Sequence, residues 1–153
     1  MSRTDLKNKI HERGSQNVRI VVNDFQERID DLKAVTINND DAESASQSEA
    51  RRDSDIELMD TLADQLDFSV KELETMKSMD LNGADHDKVT FGSVVHTDNR
   101  NFFIGVSIDN FEVEGRDYVG ISPRAPLYKE LEGSKVGDKV TFNGMSYKVE
   151  EVF

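Results

Sequence analysis

From Val18 the apolar residues keep a 3.5-residue rhythm: Val18, Val22, Phe25, Ile29, Leu32. Steps alternating between 4 and 3 hold one stripe on one side of a helix, the pattern of a coiled-coil seam. The rhythm fades after Thr36, where Asn38 and Asn39 are weak helix formers. A second series repeats it: Ile56, Met59, Ala63, Leu66, Val70, Leu73. Two seams of similar length on one short chain pack most simply against each other as an antiparallel hairpin. A coiled coil between two chains is the alternative. Residues 1–17 are polar, with Gly14-Ser15 as a breaker, and are expected to be frayed or loosely helical.

Between the seams, Ile37–Asp55 is rich in Asn, Asp, Ser, Ala and Glu. Ser46–Glu49 and Ser54–Glu57 both fit a capping box for the returning helix. The turn is therefore expected at residues 38–46, as the exposed end of the hairpin. A helix of about 30 residues is about 45 Å long, so the hairpin is expected to reach well beyond any globular part. Composition by itself favours a flexible polar linker here.

After Met79 the period changes to that of strands. Val89–Thr97, Phe102–Ile108, Tyr118–Ile121, Lys139–Phe142 and Ser146–Val152 read as β-strands. Asn143-Gly144 between two such runs is a hairpin signal. Pro126–Leu131 reads as a short helix, with Pro at its start and Gly133 just past its end. The chain is thus expected to be α+β. A helical hairpin at 1–79 precedes a small antiparallel sheet with one short helix at 80–153. Phe91, Phe102, Phe103 and Phe142 are expected in the sheet core. Since side chains alternate faces, Phe102 or Phe103 points away from that core. Leu62–Leu73 imitates a helix-turn-helix, with Ser69–Glu72 as a capping box. Its second half offers Lys71 and Lys77 among Glu72 and Glu74, a poor set for reading DNA. A kink near Asp67 is the other reading.

Charge narrows the function. The chain has 153 residues and a net charge of −12. Residues 1–79 carry 11 Lys/Arg against 18 Asp/Glu, and residues 80–153 carry 8 against 13. Neither half is basic, which disfavours autonomous binding to DNA, RNA or an anionic membrane. The polar start reads as lacking a signal peptide, and no run approaches a membrane span. The absence of Cys excludes disulfides and thiolate metal sites. A cytoplasmic protein is expected. His11, His86 and His96 show no metal-ligand spacing.

Residues 121–128 read Ile-Ser-Pro-Arg-Ala-Pro-Leu-Tyr, followed by Gly133, Gly137 and Asp138. This run resembles the C-terminal signature of the GreA/GreB transcript cleavage factors of bacterial RNA polymerase: I-S-x-x-S-P, a short helix, then a G-x-x-x-G-D turn. Pro126 matches the family's proline. Ala125 stands where the family has Ser, Tyr128 where it has Ala, and Arg124 where it often has Asp or Asn. The tip matches less fully. Asp40, Glu43 and Ala45 fit the family's acidic tip, while its Asn, second Glu and Tyr are missing. The resemblance implies an FKBP-like second domain that docks on the rim of the polymerase's secondary channel. Arg124, Ala125, Pro126, Leu127 and Tyr128 would contribute to that contact.

It also implies chemistry. Transcript cleavage is phosphodiester hydrolysis at a two-metal site, and the polymerase holds its second Mg²⁺ loosely. Carboxylates delivered on a thin arm can hold that ion and orient or deprotonate the attacking water. Asp40, Asp41 and Glu43 are the candidates, with Asp40 and Glu43 as metal ligands in the polymerase complex only. Asp40 and Glu43, spaced i, i+3, can share one side of the tip. Equally, these acids can simply solvate an exposed turn. Arg51 and Arg52 either approach the 3′ end of the backtracked RNA, or pair with Glu49, Asp53 and Asp55. On this reading the chain is not an enzyme alone, carries no cofactor of its own and is an elongated monomer when unbound. The rivals are a channel-occluding regulator without cleavage activity, an FKBP-like prolyl isomerase or chaperone, and a structural dimeric coiled coil. Against the isomerase, the sheet half is short for a substrate cleft and has no Trp.

Overall fold

The computed structural model describes residues 1–39, 45–81 and 85–153, with side chains outside 36–51. Two long helices come first, α1 (Arg3–Asn39) and α2 (Ala45–Ser78). Six strands and a short helix follow: β1 (Val94–Thr97), β2 (Asn101–Ile104), β3 (Ile108–Val113), β4 (Arg116–Ile121), α3 (Pro126–Leu131), β5 (Lys139–Phe142) and β6 (Met145–Val152). The expected α+β order, hairpin before sheet, is present. The chain forms two compact units, residues 18–73 and residues 1–17 with 74–153.

In the helical unit, α1 buries or half-buries Val18, Val22, Phe25, Ile29 and Leu32, the stripe expected from its rhythm. On α2 the inward stripe is Asp55, Met59, Leu62, Leu66, Ser69 and Leu73, with Leu62 and Ser69 buried and the others half-buried. Its steps again alternate between 4 and 3. Met59, Leu66, Val70 and Leu73 of the expected seam are half-buried, whereas Ile56 is 56% exposed and Ala63 is exposed. The helix turns Leu62 and the hydroxyl-bearing Ser69 inward, a phase that the spacing of apolar residues does not mark. Helix α2 runs unbroken through Asp67 and Ser69, so the apparent helix-turn-helix is one continuous helix. It begins ahead of Ser54 as well, so that residue caps nothing.

The sheet order is β3-β4-β2-β1-β6-β5. All pairings are antiparallel except β2 with β4, which is parallel because β4 enters between β3 and β2. The sheet is therefore mixed. Strand β3 had no counterpart in the sequence reading. It forms a hairpin with β4 through Glu114 and Gly115, at φ 53° and 76°. Two successive positive φ values match the twist of a tight hairpin, but Glu is an unusual occupant. The expected strand Phe102–Ile108 is interrupted at Gly105. The expected strand at Val89 starts only at Val94, after a turn in which the Ser93 hydroxyl donates to Thr90 O at 2.7 Å.

One face of the sheet packs Val95, Phe102, Ile104, Ile121, Tyr147 and Val149 against Tyr128 and Leu131 of α3. The other face is covered too. The first turns of α1 lie on it, and they are helical rather than frayed. His11 meets Phe103 edge-on at 6.2 Å, and its Nε2 donates to Met76 O at 2.6 Å. Gly14 faces Ile108, Met76 and Phe111. Phe102 and Phe103 are consequently both buried, one on each face, each burial contributing about 2–3 kcal/mol. Phe91, expected in the core, is 44% exposed. It precedes Gly92 in the turn before β1, where φ is 87°.

Candidate functional site

The loop after β4 is built by local chemistry. Ser122 accepts the Arg124 N–H on its hydroxyl at 3.2 Å and the Ala125 N–H on its carbonyl at 2.9 Å. These two bonds fold Ser122–Ala125 into a tight turn. Ala125 then occupies the N-cap of α3 in an extended conformation, without a side-chain cap. Pro126 follows at the first helical position, where a missing N–H costs nothing. At the other end Gly133 turns the chain at φ 77°. Its N–H bonds Val89 O at 2.9 Å, and Ser134 O returns a bond to Val89 N–H at 2.8 Å. The C-terminal end of helix α3 is thereby tied to the segment that precedes β1.

The Gly-Asp turn has an equally physical basis. Gly137 sits at φ 95°, a region that favours glycine. Asp138 accepts the Lys135 N–H on its carboxylate at 2.9 Å. Its carbonyl accepts Val149 N–H at 2.8 Å, which starts the β5–β6 hairpin. The G-x-x-x-G-D spacing is thus a requirement of this turn and the strand it launches.

Of the five candidate docking residues, Arg124 and Pro126 are exposed, and Ala125 and Leu127 are half-buried. Tyr128 is buried in the core. Burial raises the Tyr128 pKa, and Glu132 adds to that, while a hydrogen bond with Thr90 works against it. The exposed face at this end of the sheet unit is therefore presented by Arg124, Pro126 and the half-buried Leu127, with Tyr128 as their foundation.

Asp40, Asp41 and Glu43 lie outside the described residues, as does the Arg51 side chain. What is described is the frame: α1 ends at Asn39 and α2 begins at Ala45, so the three acids fall between the helix ends. Arg52 is exposed. The outer side of α2, opposite the seam, carries Asp53, Glu57, Asp60, Asp64 and Asp67, all exposed. Among the described residues no group of three His, Asp or Glu could hold a metal ion. No described helix is long and apolar enough to cross a membrane. A polar cluster around the buried His96, joining α1, β1, β4 and β6, was not legible in the sequence. Its members are up to 148 positions apart.

No family sequence model and no curated protein sequence matches the chain. Among solved structures it is similar to GreA factor homolog 1 (Gfh1) of Thermus thermophilus. That match has 11% identity and a TM-score of 0.34, covering 92% of this chain and 95% of the other. A second structure of the transcription factor Gfh1 gives 16% identity and a TM-score of 0.32, with coverages of 92% and 93%.

Proposed function

We propose that this chain is a Gre-type factor that binds RNA polymerase at the secondary channel and stimulates cleavage of backtracked RNA. One observation carries the reading. Two long helices with inward stripes of matching rhythm end at Asn39 and resume at Ala45, and in the sequence Asp40, Asp41 and Glu43 lie between those ends. The signature at residues 121–138 accompanies that frame, and its glycines and aspartate occupy turns that need them. In this reading the sheet unit docks through Arg124, Pro126 and Leu127, and the hairpin enters the channel. The catalytic metal site belongs to the polymerase, so the chain is not an enzyme by itself. Asp40 and Glu43 would contribute ligands to the loosely held Mg²⁺, which supplies charge neutralisation at the scissile phosphate. Asp41 would help place the attacking water. Arg51 and Arg52 would stand beside the RNA 3′ end.

The alternative is a factor that occupies the same channel without stimulating cleavage. The tip sequence favours it in one respect, since the family's Asn, second Glu and Tyr are absent after Asp40 and Glu43.

The test is RNA cleavage in stalled, backtracked elongation complexes with Mg²⁺. The intact chain is compared with an Asp40→Ala/Asp41→Ala/Glu43→Ala variant. Stimulation that disappears in the variant while polymerase binding persists supports cleavage. Binding without stimulation by either form assigns the occluding role. No binding defeats both readings.

A further inference from the structure

His96 lies in β1 with 3% of its surface exposed. Its Nε2 is 2.9 Å from the Tyr118 hydroxyl. Its Nδ1 faces two groups of opposite character: Arg116 Nη1 at 3.0 Å and Glu151 Oε2 at 3.3 Å. A guanidinium only donates hydrogen bonds and a carboxylate only accepts them. A bare Nδ1 therefore satisfies Arg116, and a protonated Nδ1 satisfies Glu151. No protonation state satisfies both.

The surroundings hold both partners in place. The other oxygen of Glu151 accepts from Arg3 Nε at 3.0 Å. The Phe153 ring meets His96 edge-on at 5.3 Å and lies 5.7 Å below the Arg3 guanidinium. The charged and titratable groups facing the imidazole are thus Arg116 and Tyr118 from β4, Glu151 from β6 and Arg3 from α1.

We propose that His96 operates a proton-driven exchange of partners, holding Arg116 to the sheet when neutral and joining Glu151 when protonated. Arg116 opens β4 directly after the Glu114-Gly115 turn, and it pairs with Val113 of β3. The hairpin end is anchored twice, by Glu114 to Lys9 of α1 at 2.8 Å and by Arg116 to His96. Acid removes the second anchor and leaves the first, since the Glu114 pKa is held low by Lys9. The proton balance is simple. One proton enters from solvent at Nδ1, Arg116 keeps its charge and moves to water, and Glu151 becomes the partner of the imidazolium. Burial, with the Arg116 charge, lowers the His96 pKa against the pull of Glu151. The exchange therefore takes place below the ordinary histidine range.

The experiment is nuclear magnetic resonance on the full chain, titrated from pH 8 to pH 4.5. It follows the His96 ring nitrogens, the Arg116 side-chain N–H and the amides of residues 113–117. Expected are a neutral ring protonated at Nε2, and Arg116 signals that move with the same midpoint as the ring. Arg116→Gln should raise that midpoint by about one pH unit and Glu151→Gln should lower it by a similar amount. Arg116 is exposed, so its replacement leaves the core intact, and the first readout needs no variant. Arg116 signals that stay still through the His96 titration would overturn the proposal. A midpoint unmoved by Arg116→Gln would do the same.

Discussion

Gly14 of α1 and Ile108 of β3 approach so closely that a Cβ on the glycine would lie 3.0 Å from the Ile108 Cδ1. The same Cβ would be 3.3 Å from Met76 Cε and 3.7 Å from Phe111 Cζ. A helix can lie this close to a sheet only where a side chain is absent. Gly14→Ala adds one methyl against flexible side-chain ends and gains about 1 kcal/mol of helix propensity. It is expected within about 1 kcal/mol of the native chain. Gly14→Leu cannot be accommodated and should cost about 1–3 kcal/mol by overpacking. Urea unfolding of the three proteins checks both, and a Leu variant as stable as the native chain would refute the close approach.

The phase of α2 yields a paired prediction. Leu62 is 7% exposed and Ile56 is 56% exposed, although both are large, aliphatic and separated by less than two turns. Leu62→Ala should cost about 2–5 kcal/mol, as deletions of buried leucine do. Ile56→Ala should change stability by no more than about 0.5 kcal/mol. Equal losses would restore the seam that the apolar residues alone suggest.

These positions show what a sequence reveals and what it hides. The α1 seam was legible because every inward position carries an apolar residue. The α2 phase was not, because Ser69 and Asp55 occupy inward positions while Ile56 and Ala63 point away. Gly14 read as a helix breaker, since its function depends on Ile108, which lies far along the chain. Phe103 read as a candidate for exposure because alternation assumes one covered face, and α1 covers the second. The loop from Ser122 to Pro126 and the turn at Gly137-Asp138 were legible, because local hydrogen bonds build them. The His96 cluster was not, because tertiary structure alone brings Arg3, Arg116 and Glu151 together.

Gly120 in β4 meets a harder obstacle than Gly14 does. A Cβ there would be 2.6 Å from the Val106 carbonyl oxygen and 2.8 Å from the Ile108 Cβ. Backbone and Cβ atoms cannot swing aside as a side-chain end can. Gly120→Ala should cost about 3 kcal/mol or more, by forcing β3 from β4. Gly115→Ala in the adjacent turn meets no atom within 4 Å. It carries only the strain of φ 76°, about 1 kcal/mol. Thermal unfolding should rank the native chain first, Gly115→Ala second and Gly120→Ala last. Reversal of the last two would show that the β3–β4 contact is looser than its geometry.

Lys7 gives stability a pH dependence on the alkaline side. It is 2% exposed on the first turns of α1. Burial lowers its pKa to about 8, with Asp85 pulling it back up. In the unfolded chain it regains the ordinary value of 10.5. Between these values the unfolded chain binds the proton more tightly than the folded one, so stability rises with pH across the window. Below pH 8 both states are protonated and the slope vanishes. Above pH 10 the sign reverses, because burial raises the Tyr118 and Tyr128 pKa values. The unfolded chain then releases its tyrosine protons first. The gain should therefore be visible from pH 8 to pH 10, at no more than about 1.4 kcal/mol per pH unit, the limit for one proton. Urea midpoints at pH 7.5, 8.5 and 9 should rise for the native chain and stay level for Lys7→Met. Parallel slopes in the two proteins would assign the titration to another group.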